Sequence, residues 1–157
     1  MKLNFKKNEG KRHVVTYHRD NGTKTCMPAD DFFIAHDLSH FAIEKTMGYK
    51  TAFYGMINGG IELFDFLDKQ KREAMHFTDE AMNAESMANL FLIDSNQGRI
   101  EGFHQLQNDV LRTGFPRAQS VMLTEEEIDT IRNYFSELLS QWYLLRPNEF
   151  LQLEIDV

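Results

Sequence analysis

The chain has 157 residues, 42% of them hydrophobic and 26% charged, with a net charge of −7 and a pI near 5.3. That composition suits one domain spanning 1–157 and excludes global disorder. The acidic balance argues against a nucleic-acid partner, and no run in the sequence approaches the roughly 20 apolar residues that cross a bilayer.

The first 28 residues read as strands. Leu3 and Phe5 alternate with polar neighbours, and His13, Val15 and Tyr17 alternate with Val14, Thr16 and His18. Asn8-Glu9-Gly10 and Asp20-Asn21-Gly22 carry turn signals, since Asn and Gly tolerate positive φ. Thr23 to Met27 reads as the returning strand, ended by Pro28. The basic opening, Lys2, Lys6, Lys7, Lys11 and Arg12, reads as the polar face of edge strands. The single cysteine, Cys26, reads as a quiet strand residue; it excludes an internal disulfide framework and fits a reducing compartment. With no apolar run of signal-peptide length, the expected location is the cytoplasm. His13 and His18 fall on opposite strand faces and are therefore poor co-ligands.

Asp30 or Asp31 can cap a first helix that ends near Gly48. On it His36, His40 and Glu44 recur every fourth residue, and residues four apart stack on one helix face. Asp37 falls close to the bearing of Glu44, because seven residues make almost two turns. Two imidazoles and two carboxylates on one stripe form a donor set for a divalent transition metal: Zn, Fe, Mn or Ni. Phe33, Ile43 and Met47 share the stripe's face, while Ile34, Leu38 and Phe41 cover the other side. A helix apolar nearly all round is buried, and buried polar groups need hydrogen bonds, ion partners or a metal. The Zn-protease pattern has Glu where this chain has Asp37, so a base there is one methylene shorter. That departure counts against a peptidase, and leaves ligation by His36 and His40 untouched.

A second helix is expected from Thr51 to about Arg72, interrupted by Gly55, Gly59 and Gly60. Each internal glycine costs about 1 kcal/mol relative to alanine, so the cluster signals close backbone packing or a loop that wraps a ligand; packing is preferred. Thr78 starts a third helix with Asp79 and Glu80 in its first turn. Asp94 to Gly98 reads as a loop, Arg99 to Arg112 as a weaker helix, and Gly114 with Pro116 as a break. Thr124 and Glu127 form a capping box before the amphipathic run from Ile128 to Trp142. Arg146-Pro147 stops that helix, and Phe150, Leu151, Leu153 and Ile155 form a closing strand. The expected fold is α+β: an N-terminal antiparallel meander joined by the C-terminal strand, with four or five packed helices.

Metal ligands in helical sites come from facing helices, so Glu62 or Glu85 can complete a set of two histidines and a carboxylate. His76 and His104, near helix starts or loops, are weaker choices. The stretch from Pro28 to Gly60, with His36-Asp37-Leu38-Ser39-His40, Glu44 and then Phe53-Tyr54-Gly55, resembles a group of small bacterial proteins of no assigned activity with an HDLxHxxxE signature. The resemblance implies that His36, His40 and Glu44 are the positions to test, and it supplies no substrate. One reading is a small metal-binding protein, hydrolytic in its enzymatic form, with Asp37 as an orienting group or weak base. The other is a non-enzymatic interaction domain, a homodimer with a contact surface around Trp142, in which the stripe is a structural polar network.

Overall fold

The computed structural model describes residues 1–10 and 12–157; the expectation for Lys11 lies outside the described residues. Four strands, β1 (Lys2–Lys6), β2 (His13–His18), β3 (Lys24–Ala29) and β4 (Phe150–Glu154), form one antiparallel sheet in the order β3-β2-β1-β4. The register sets Leu3 opposite Tyr17 and Leu153, Phe5 opposite Val15 and Leu151, and Val15 opposite Met27. Alternation thus puts Leu3, Phe5, Val15, Tyr17 and Met27 on the buried face. Pro28 does not end β3 but lies within it, opposite Val14. An edge strand tolerates a residue with no N–H to give the ladder. The expected edge position fails for Lys2 and Lys6, which lie on the interior strand β1; Lys6 Nζ sits 5.9 Å above the Phe150 ring. Cys26 is exposed on β3.

The helix α1 (Asp31–Met47) crosses the buried face of the sheet. Its cap is Asp30, whose side chain accepts from the Phe33 N–H at 3.0 Å, and it ends at Gly48 in a left-handed conformation with φ 67°. Helices α4 (Asp79–Gln97) and α6 (Glu125–Leu144) pack along α1, which explains why Ile34, Leu38, Phe41 and Ile43 are all buried. The expected Thr124/Glu127 capping box opens α6. Trp142 is fully buried, its Nε1–H donating to Asp31 Oδ1 at 2.9 Å, so it offers no contact surface itself.

The long second helix is absent. Instead the chain makes α2 (Phe53–Asn58), a 3-10 turn (Leu63–Phe66) and α3 (Lys69–Ala74). Gly60 explains the break: its φ of 114° lies where L side chains are strained. Gly55 serves close packing, but against the preceding loop rather than another helix. A Cβ there would meet the Lys50 carbonyl oxygen at 2.0 Å. In α4 the expected loop from Asp94 is helical. Asp94 stays in register because its carboxylate receives Arg132 at 2.7 and 3.0 Å and the Ile100 N–H at 2.7 Å. The weaker helix, α5, spans Phe103–Gly114. No helix among the described residues is long and apolar enough to cross a membrane.

Candidate metal centre

His36 and His40 lie one turn apart on α1 with ring centroids 4.8 Å apart. Their Nε2 atoms lie 3.7 and 3.2 Å from one oxygen, Oε2 of Glu85 on the facing helix α4. One ligand atom from each of the three residues lies within 4.8 Å of the others. Tetrahedral metal bonds of about 2.0–2.2 Å place neighbouring donors about 3.4 Å apart, and the two imidazole-to-carboxylate distances bracket that value. Ala81 and Ala88, a turn to either side of Glu85, and its neighbour Ala84 are all buried, small residues where α4 packs on α1. Among the described residues, neither Nε2 atom has a main-chain carbonyl as its hydrogen-bond partner.

Glu44 has a different job. One of its oxygens accepts from the Phe53 N–H at 3.2 Å and meets His40 Nδ1 at 3.0 Å; the other accepts from the Tyr54 N–H at 3.0 Å. These are the first N–H groups of α2, which has no side-chain cap of its own. Glu44 therefore caps α2 from α1, and its remaining contact orients His40. The structure gathers His36 and His40 with Glu85, and leaves Glu44 behind them. Of the two carboxylates weighed to complete the set, Glu62 is elsewhere, paired with Arg19 at 2.9 Å.

Asp37 is buried and, with His36, His40 and Glu85, lines a cavity. Its Oδ2 accepts from the Tyr17 hydroxyl at 2.5 Å, and its Oδ1 lies 3.9 Å from His36 Nδ1. Its main-chain carbonyl accepts from the Tyr54 hydroxyl at 2.6 Å, so the sheet and α2 both hold this turn of α1. Burial and then the Asp37 charge push both tyrosine hydroxyls well above their usual pKa, which keeps them neutral donors.

The electrostatics of the cluster favour the protonated form of both histidines. Burial opposes a charge on His40, but the hydrogen bonds and charges of Glu44 and Glu85 outweigh it, raising the ring to about 10. His36 is raised too: burial works against its charge, and Asp37 and Glu85 favour it. Burial would raise Glu85, yet the two histidines pull it far below the usual carboxylate range. Glu44, without access to water, is raised by burial.

The centre opens into a cavity of about 590 Å³, within the roughly 300–1,000 Å³ span of small-molecule pockets. Phe32, Phe33, Phe53, Phe66, Met56 and Leu63 supply much of its wall. No family model matches the chain, and no curated protein or solved structure matches it.

Three supporting residues escaped the sequence reading. Asn89 donates to Glu85 Oε1 at 3.0 Å, fixing the carboxylate with Oε2 toward the histidines. Its spacing of four from Glu85 on one helix is a readable signal. Tyr17 reaches the site from β2 and Arg72 lines its cavity from α3, which only the tertiary fold reveals. His76 and His104 are not part of the cluster.

Proposed function

We propose that His36, His40 and Glu85 hold one divalent transition ion at the wall of the cavity, and that the protein uses it on a small apolar molecule, with hydrolysis as the reaction class. The observation that supports this best is the convergence of both Nε2 atoms on Glu85 Oε2. Two imidazoles and a carboxylate bind Zn in hydrolytic sites and leave a coordination position for water. Such an ion supplies Lewis acidity and lowers the pKa of bound water toward neutrality. Glu44 holds His40 through Nδ1, as carboxylates commonly do behind metal-bound histidines. Asp37, fixed by Tyr17, faces the Nδ1 side of His36 and is a positioning residue.

Calorimetric titration of metal-stripped, untagged protein with Zn tests the proposal. One equivalent should bind, and His36→Ala, His40→Ala and Glu85→Ala should each weaken binding at least 100-fold. Stoichiometric binding that survives these substitutions refutes the assignment.

A second reading has its own support: Phe32, Phe64 and Leu67 are 62%, 55% and 50% exposed, and Phe32 and Leu67 also line the cavity. In that reading a second copy covers these side chains and the histidine cluster is a polar network. Sedimentation equilibrium separates the two, because a strict monomer with one bound metal is incompatible with it.

A further inference from the structure

We infer that the cavity takes a single-chain anionic amphiphile, its apolar body against the aromatic wall and its head group at Arg72. This rests on the reading of the cavity as the place where the proposed metal acts, and names the kind of molecule that would reach it. The lining is dominated by aromatic and aliphatic side chains, so the body of a ligand must be apolar. The polar lining residues fall into two groups. On α1 and α4 lie His36, Asp37, His40, Glu85 and Asn89, bonded or directed toward one another; on α3 lies Arg72.

Arg72 is the uncommitted cation of this lining. Its neighbours Lys69 and Lys71 pair with Glu73 and Asp65, whereas among the described residues Arg72 makes no ion pair. One of its N–H groups donates to the Phe66 carbonyl at 3.1 Å, which holds the side chain at the cavity wall with further donors to spare. A planar guanidinium with free N–H groups recognises a carboxylate or another oxyanion. The carboxylates of Asp37 and Glu85 face the rings of His36 and His40, so the charges of that group are matched among themselves and Arg72 is left as the unpaired charge of the lining. Charge therefore orients the ligand: the anion at α3, and an uncharged part of the chain at the histidines.

The test is calorimetric titration of metal-stripped protein with decanoate, 1-decanol and decyltrimethylammonium. Decanoate should bind at least tenfold more tightly than the ammonium compound. Arg72→Gln should weaken decanoate about three- to tenfold and leave decanol within twofold. Arg72 is exposed, so the variant should fold, and circular dichroism checks that it does. No decanoate binding, or equal decanoate affinity in wild type and Arg72→Gln, overturns the inference.

Co-pelleting with phosphatidylglycerol vesicles tests a bilayer as the source of the same chemistry. The protein should stay in solution, and pelleting without free decanoate binding also overturns the inference. A parallel Zn titration keeps the two proposals apart: decanoate binding without Zn binding sinks the metal reading alone.

Discussion

Replacing Glu44 and Glu85 in turn should separate support from ligation. Glu44 is 1% exposed and serves two main-chain N–H groups and the His40 ring. Glu44→Ala leaves those donors buried without an acceptor, at about 1–3 kcal/mol for each orphaned group before relaxation. Relaxation shares the loss, and breaking a buried charged pair costs about 3–5 kcal/mol overall. For a chain of this size that lowers Tm by about 6–20 °C. Glu85 has a side chain 43% exposed, so solvent screens its pairing and Glu85→Gln should cost about 1 kcal/mol or less. Urea unfolding of the metal-free proteins measures both. The Zn affinities should run the other way, with Glu85→Gln losing far more than Glu44→Gln. A Glu44→Ala loss below about 1 kcal/mol would refute the assignment of Glu44 as the cap of α2.

Zn binding should release protons. The His40 pKa, raised to about 10, means that a metal must displace its proton at pH 7, and the His36 pKa is shifted in the same direction. Apparent affinity should therefore rise from pH 6 to 8, and the calorimetric heat should change with the buffer's ionisation enthalpy. In the metal-free protein the His40 contribution to stability is complete below its ordinary value of 6.5 and is lost as pH rises through about 10. Metal-free Tm should accordingly fall between pH 7 and 10, and fall less in His40→Ala. Gly55→Ala forces a methyl to within 2.0 Å of the Lys50 carbonyl oxygen; a loss of about 1–3 kcal/mol or more is expected in urea unfolding, and an unchanged midpoint contradicts the packing described.

Sheet and site were legible to different degrees, for physical reasons. Leu3, Phe5, Val15 and Tyr17 obey a period of two that depends only on local pleating, so the strands and their buried face could be read directly. Thr124 with Glu127, and Asp30 with Gly48, are local devices and were equally readable. The segment from Thr51 to Arg72 was not, because apolar density resembles a helix until the positive φ of Gly60 breaks it. Pro28 misled because its tolerance depends on β3 being an edge strand, a property of the whole sheet.

At the site, the spacing of His36 and His40 follows from helical geometry, and Glu85 was one of two carboxylates that a facing helix could offer. Glu44 shares the same periodicity, so sequence alone could not tell a member of the cluster from a helix cap. That division arises only when α2 brings the Phe53 and Tyr54 N–H groups to its oxygens.

Anomalous diffraction from a crystal of metal-stripped protein soaked in Zn bears most directly on the centre. One peak should lie about 2.0–2.2 Å from Nε2 of His36, Nε2 of His40 and a carboxylate oxygen of Glu85. A saturated crystal with no ion between these atoms, or with the ion on Glu44 instead, contradicts the proposed site.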